Sequence, residues 1–224
     1  MDKQPKIIAI VGGSGSGKTW LATRLLQVFG SQAVHLSQDD FYHDLRHLPP
    51  SARAAVNFDH PHAIDWPEFE RVLRNCRNGN ATRMPWYDFA THTRLPEGKD
   101  LIPGPLILVE GLSLLWLPRI WELFDLKVFL GCTPQLRLER RLIRDVTERG
   151  RTPDSVREQF LKTVAPMHRE FVAPQAKWAD VILQQPPTET ELRKLIKMIQ
   201  AELPGTRDGE SAKASAEEFC LQNT

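Results

Sequence analysis

Residues 7–19 read Ile7-Ile8-Ala9-Ile10-Val11-Gly12-Gly13-Ser14-Gly15-Ser16-Gly17-Lys18-Thr19. Five apolar residues without alternation have the pattern of a strand buried on both faces, and the glycine-rich octet after them fits GxxxxGK[ST]. Beyond it, Leu21, Leu25 and Val28 recur at i, i+4 and i+7, the core-facing stripe of a helix that ends near Gly30. Strand, glycine loop and helix in that order form the context in which the motif cradles phosphate. The main-chain N–H groups of Gly12, Gly13, Ser14, Gly15, Ser16 and Gly17 point inward, and the start of the helix adds its positive end. Lys18 is then placed to reach the β- and γ-phosphates of a nucleoside triphosphate, and the Thr19 hydroxyl to ligate Mg²⁺. A plain Gly/Ser turn is the alternative, and the low chance rate of the pattern together with its context disfavours it.

Working outward, unalternating apolar runs recur at 33–36, 106–109, 126–130 and 181–183. Helical periods separate them. Thr133-Pro134 reads as a helix start with Leu138, Leu142 and Val146 as its apolar stripe. Thr152-Pro153 starts another, with Val156, Phe160 and Val164 recurring until Pro166 interrupts. Thr188 and Glu191 make a capping box before Leu192, Leu195, Ile196, Ile199 and Leu203. Strands alternating with helices imply an α/β fold, a doubly wound parallel sheet of about five strands with flanking helices. Segments 43–61 and 79–105 break the alternation, and 83–89 reads as a small hairpin or edge ribbon. The expected organisation is one domain over 1–203, with 79–105 an insertion serving an acceptor pocket and 144–160 a lid. Residues 204–224, nearly devoid of apolar side chains, read as a tail without a fixed structure.

The chain has 224 residues, 41% hydrophobic and 25% charged, which excludes disordered, collagen-like and coiled-coil classes. Its 29 Lys+Arg against 28 Asp+Glu leave a net charge of +1, so neither nucleic acid nor a membrane surface is expected as partner. Cys76, Cys132 and Cys220 are odd in number and far apart, which fits a reducing compartment. The apolar run near the N-terminus is too short for a signal peptide, and Glu110, Pro103, Pro105 and Pro118 disqualify 101–118 as a membrane span. A cytoplasmic location is the resulting expectation.

A nucleotide site alone does not separate a switch, a motor and a kinase. A GTP switch requires Asp-x-x-Gly after a strand and an Asn-Lys-x-Asp loop; after 106–109 stands Glu110-Gly111-Leu112, and no Asn-Lys-x-Asp occurs. After the second strand comes Ser37-Gln38-Asp39-Asp40-Phe41-Tyr42, a carboxylate at the carboxyl end of a strand beside the phosphate loop. Phosphoryl transfer to an alcohol calls for a base there; a helix-cap role for Asp39 or Asp40 is the structural alternative.

Ser37 to Tyr42, Asn57-Phe58-Asp59-His60-Pro61, Pro85-Trp86-Tyr87-Asp88-Phe89 with Thr91-His92-Thr93-Arg94, Glu110-Gly111, and Arg144-Asp145-Val146-Thr147-Glu148-Arg149-Gly150-Arg151 together resemble the uridine–cytidine kinase family. The resemblance runs from about residue 7 to about 183. It implies transfer of the γ-phosphoryl of ATP or GTP, with Mg²⁺, to the 5′-hydroxyl of a pyrimidine nucleoside. It also implies a homotetramer. Asp39 then looks like the general base and Asp59 like the acceptor for both ribose hydroxyls. Tyr87, Phe89 and His92 resemble the surroundings of the pyrimidine, with Tyr42 lining the same pocket. Arg141, Arg144, Arg149 and Arg151 look like lid and sugar contacts, with Arg144 and Arg149 bearing on the transferring phosphate and Arg149 and Arg151 on the nucleotide. Gln159 aligns near the sugar, and Glu110 with Thr19 would hold Mg²⁺. Rival readings are a kinase of another small alcohol, such as pantothenate or ribulose phosphate, and an NTP-binding regulator without turnover.

Some residues read more plainly. Arg137 and Arg140, interspersed with acids, read as a solvated helix face. The histidine pairs 43/47 and 60/62 have no cysteine nearby to make a zinc site, and Trp20, Trp66, Trp116, Trp121 and Trp178 read as packing. Two departures from the family pattern stand out. Gln184-Gln185-Pro186-Pro187 replaces the usual Pro-Arg-Gly-Gly, and Glu110-Gly111-Leu112-Ser113 replaces Glu-Gly-Ile-Leu.

Overall fold

The computed structural model describes residues 4–203, so the expected tail at 204–224 and Cys220 lie outside the described residues. Along the chain, β1 (Lys6–Gly12) leads into α1 (Lys18–Phe29), and β2 (Ala33–Ser37) into a 3₁₀ turn at Gln38–Phe41. Next come α2 (Pro50–Ala54), α3 (Trp66–Arg77) and four short strands, β3 (Thr82–Met84), β4 (Tyr87–Asp88), β5 (Thr93–Arg94) and β6 (Lys99–Leu101). The remainder is β7 (Leu106–Gly111), α4 (Pro118–Trp121), β8 (Leu126–Gly131), α5 (Pro134–Thr147), α6 (Pro153–Gln159), the single turn α7 (Ala165–Met167), β9 (Val181–Gln184) and α8 (Glu189–Glu202).

The five apolar runs form one parallel sheet in the order β2-β7-β1-β8-β9. Both faces are covered, which is why the runs do not alternate. Ile8, Ile10, Leu108 and Val128 meet Leu21 and Leu25 of α1 and Leu195 and Ile199 of α8. Ile7, Ala9, Ile107, Val109 and Phe129 meet Phe69, Val72 and Leu73 of α3 on the other side. Each such Val, Leu, Ile or Phe side chain, fully buried, contributes about 1.5–3 kcal/mol of transfer free energy. With β1 central, the loop at its carboxyl end stands where open α/β sheets bind ligands.

Three expectations change. Helix α3 was not anticipated, although its signals are present: Asp65 accepts from the Glu68 N–H at 3.2 Å, Pro67 lies in the first turn, and Phe69, Val72, Leu73 and Cys76 make the buried stripe. Pro166 does not interrupt its helix. Two π-type turns, Phe160–Val164 and His168–Val172, carry it on, and the Ala165 N–H reaches Phe160 five residues back, so the ladder is already displaced where Pro166 has no donor. The expected buried stripe of α5 is also wrong. Val146 is exposed, and the buried positions are Arg137, Arg141 and Asp145, because this face packs on the glycine-rich loop, Arg137 against Gly13 and Gly15 and Arg141 on Ser14, instead of on the sheet. Insertion 79–105 does form ribbons, pairing β3 with β6 and β4 with β5 antiparallel.

Candidate active site

The loop between β1 and α1 is shaped by what surrounds it. A Cβ at Gly13 would stand 2.5 Å from the His168 ring and 2.7 Å from Arg137 Nη1, and one at Gly15 (φ 81°) would stand 2.5 Å from the Arg137 carbonyl oxygen. No side chain caps α1 and no acid occupies its first turn, so its leading N–H groups and positive end remain open to an anion. Lys18 folds back to donate to the Gly13 carbonyl at 3.2 Å. Burial lowers its pKa, against the opposing pull of Glu110 and Asp39.

At the end of β7, Glu110 accepts from the Thr19 hydroxyl at 2.9 Å through one oxygen, and His35 Nε2 lies 3.2 Å from the other. Burial pushes Glu110 up, but His35, Lys18 and Thr19 outweigh it and hold the carboxyl below its ordinary value. A hydroxyl and an ionised carboxylate meeting at one point are the hard oxygen donors that suit Mg²⁺. Across β7, at the end of β2, the Ser37 hydroxyl accepts from the Asp39 N–H and starts the 3₁₀ turn, so the cap is Ser37 and the Asp39 carboxylate is free for other work. Tyr42 donates to that carboxylate at 3.1 Å. Burial raises the Asp39 pKa most strongly, Lys18 pulls it back, and the net displacement is upward. Asp40 is instead structural, buried and paired with Lys99 at 3.0 Å.

Tyr42, Tyr87, Phe89 and His92 come together as the sequence predicted, and Phe58 joins them. Tyr42 lies 5.0 Å from Phe58 and 5.3 Å from Tyr87, Tyr87 lies 5.3 Å from Phe89, and His92 stacks on Phe58 at 4.7 Å. Within this apolar wall the Tyr87 hydroxyl and His92 Nδ1 are buried without a hydrogen-bond partner. Burial lowers the His92 pKa, which favours the neutral ring. Arg94 pins the insertion in place, donating to the Tyr42 and Phe41 carbonyls and pairing with Asp65 at 3.0 Å. Asp59 lies close enough to Asp39 and Tyr42 for its charge to act on both. Burial raises its pKa, opposed by Arg141, Lys18, Arg137 and Arg144.

The four expected arginines share one acid that sequence reading passed over. Asp145, fully buried, lies 3.6 Å from Arg141, 2.9 Å from Arg144, 3.4 Å from Arg149 and 3.9 Å from Arg151. Arg141 also reaches the Ser14 hydroxyl of the loop at 2.7 Å and Gln159 at 2.7 Å, and Arg151 donates to Gln159 as well. The expected solvated face fails at Arg137, which is 1% exposed. Arg140 is half-buried, and its guanidinium donates to the Ser16 carbonyl at 3.3 Å and to Gln185 at 3.4 Å. The departing segment after β9 therefore does meet a cation beside the loop, one supplied by α5. Missed residues are Phe58, Asp145, Arg137, His168 and His35. Only the first three had a signal: Phe58 lay inside a quoted motif, and Arg137, Arg141, Asp145 and Arg149 recur every fourth residue, a polar stripe parallel to the apolar one that was read.

Comparison with known proteins shows the family. The family model described as phosphoribulokinase / uridine kinase family matches residues 7–191. A uridine kinase of Chloroflexus aggregans is 45% identical over 183 residues, 81% of this chain and 88% of the relative, and one of Deinococcus deserti is 42% identical over 181 residues, 80% and 87% of the two chains. Among solved structures, phosphoribulokinase from Rhodobacter spheroides superposes with a TM-score of 0.62 at 21% identity, covering 82% of this chain and 71% of that one. D-glycerate 3-kinase from Cryptococcus neoformans gives 0.57 at 18% identity, covering 81% and 86%. At those identities the structures speak for the fold alone. With a family model spanning residues 7–191 and relatives above 40% identity over most of both chains, the chain belongs to the phosphoribulokinase / uridine kinase family.

Proposed function

We propose that this chain transfers the γ-phosphoryl group of ATP or GTP to the 5′-hydroxyl of uridine or cytidine, giving UMP or CMP for pyrimidine salvage. The observation that carries the reading is the convergence on Lys18 of two kinds of wall. One is a phosphate loop with an uncapped helix start, and the other an aromatic pocket with Asp39 at its inner end. Thr19 and Glu110 would hold Mg²⁺, which supplies positive charge to the β- and γ-phosphates. Asp39 accepts the 5′-hydroxyl proton as the new O–P bond forms and the bond from the γ-phosphorus to the bridging oxygen breaks. Tyr42, hydrogen-bonded to Asp39, fixes the direction of that carboxylate. Asp59 accepts both ribose hydroxyls, and the Tyr87 hydroxyl and His92 Nδ1 meet the polar edge of the pyrimidine ring. Lys18 and the arginines gathered by Asp145 face the charge that develops on the phosphoryl oxygens, with 144–160 acting as a lid.

A coupled assay of ADP release with uridine, cytidine, adenosine, pantothenate and ribulose phosphate tests this. Uridine and cytidine are expected to be turned over far faster than the rest. A preference for another alcohol makes the chain a different kinase on the same scaffold, and turnover of none makes it a regulator. Sedimentation in the same buffer tests the proposed tetramer. No helix among the described residues is long and apolar enough to cross a membrane.

A further inference from the structure

The phosphate loop rests on a cation that has no ion pair among the described residues. Arg137 is 1% exposed, yet its Nε and Nη1 have no hydrogen-bond partner. Asp145, the acid on its own helix face, is taken by four other arginines, and no ion pair among the described residues includes Arg137. Asp59 attracts the guanidinium from beyond ion-pairing distance and Arg141 repels it, and the rings packed against it are uncharged. The Phe160 ring lies 5.4 Å from it, and His168 is kept neutral, its pKa pushed down to about 4 by burial and by Arg137 and Lys18. Taking a guanidinium out of water without a partner is strongly unfavourable, and proteins seldom retain one unless something else restores the balance.

The position of Arg137 indicates what restores it. Its Nη1 fills the notch where a Gly13 side chain would stand, and Lys18 donates to the Gly13 carbonyl. Two cations thus meet the loop at Gly13, one hydrogen-bonded to its carbonyl and one held by packing. Gly13 has no side chain to separate the guanidinium from an anion seated in the loop. We infer that Arg137 is a positioning residue whose missing counter-ion is the polyphosphate of the donor nucleotide: its charge is stored behind Gly13 and compensated only when phosphate occupies the loop. The lid arginines differ, being paired with Asp145 before any substrate arrives. A fixed charge of this kind needs no reorganisation at the moment of transfer.

This inference builds on the kinase reading but concerns the donor side alone, so the two separate experimentally. The probes are tripolyphosphate and uridine, each titrated calorimetrically into wild type, Arg137→Met, Arg137→Gln and Arg137→Lys, with thermal unfolding of the ligand-free proteins alongside. The expected result is that Met and Gln leave the ligand-free melting temperature unchanged or raise it, and weaken tripolyphosphate at least tenfold. Uridine affinity stays within twofold, and Lys recovers most of the loss. A guanidinium that merely props up the loop gives the opposite pattern, a lowered melting temperature in Met and Gln with tripolyphosphate affinity retained, and that result overturns the inference. So does failure of both Met and Gln to fold, since the charge would then be needed without any ligand. If wild type fails to phosphorylate uridine while the tripolyphosphate pattern holds, the acceptor reading falls and the role of Arg137 stands.

Discussion

Helices α1 and α5 both flank the phosphate loop, and their buried faces are opposites. α1 buries Leu21, Ala22, Leu25 and Phe29 against the sheet, whereas α5 buries Arg137, Arg141 and Asp145 against the loop and its ligand chamber. Both are amphipathic in the sense of having two faces, but only α1 follows the rule that the apolar face goes inside. The difference teaches that an inward face takes its character from what it meets. A sheet asks for methyl groups, and a glycine-rich loop admits cations with a carboxylate to gather them. If stability resides on the α1 side and chemistry on the α5 side, as the proposed function requires, variants in each should separate the two.

The largest effect is expected where chemistry is local to one group. Asp39→Asn keeps shape and removes the base, so kcat should fall roughly 10²- to 10⁴-fold with uridine binding preserved. Because burial raises the Asp39 pKa, the acidic limb of kcat/KM in wild type should lie above the ordinary carboxylate range, activity rising with pH through it. That limb should vanish in the variant; a rise in KM alone would make Asp39 a binding residue.

Next come paired variants of the two helices. Leu25→Ala should cost about 2–5 kcal/mol of unfolding free energy, with kcat per folded molecule unchanged. Asp145→Asn, which strands the buried Arg141, should cost about 3–5 kcal/mol and also lower kcat, as chemical denaturation and kinetics on the same samples would show. If Leu25→Ala damaged kcat as much as Asp145→Asn did, the division of labour between the helices would be wrong.

Smaller effects probe the acceptor wall. Replacing uridine by 2′-deoxyuridine leaves part of Asp59 unpaired and should lose about 2–4 kcal/mol in kcat/KM. His92→Ala removes one ring from the stack on Phe58 and should weaken uridine by roughly 1 kcal/mol, with the donor KM unchanged. An altered donor KM would show that His92 does not belong to the acceptor side.

The limits of sequence reading follow the same line between the helices. Strands β1, β2, β7, β8 and β9, helix α1 and the α8 capping box were legible because each depends on neighbours within a few residues. Motifs for the base and the aromatic wall were legible as short patterns that resemble a family. The polar stripe of α5 was not, because Leu138, Leu142 and Val146 repeat at the same period as Arg137, Arg141 and Asp145, and periodicity does not say which stripe faces in. The turn at Pro166 was misread for a related reason: a proline breaks a regular ladder, and nothing local announced that the ladder there is π-type.

Consecutive residues alone were enough for the glycine-rich loop between strand and helix, an all-parallel sheet and a carboxylate at the end of β2, since backbone conformation and strand burial are set by local chemistry. Which charges stand together was decided by folding. His35 reaching Glu110 from 75 positions away, Arg141 reaching Ser14 from 127 away and Arg137 lodged behind Gly13 are contacts between segments distant in the chain. Electrostatic partnership depends on distance in space, and only the packing of α5 and β2 around the loop brings those distances down to a few ångströms.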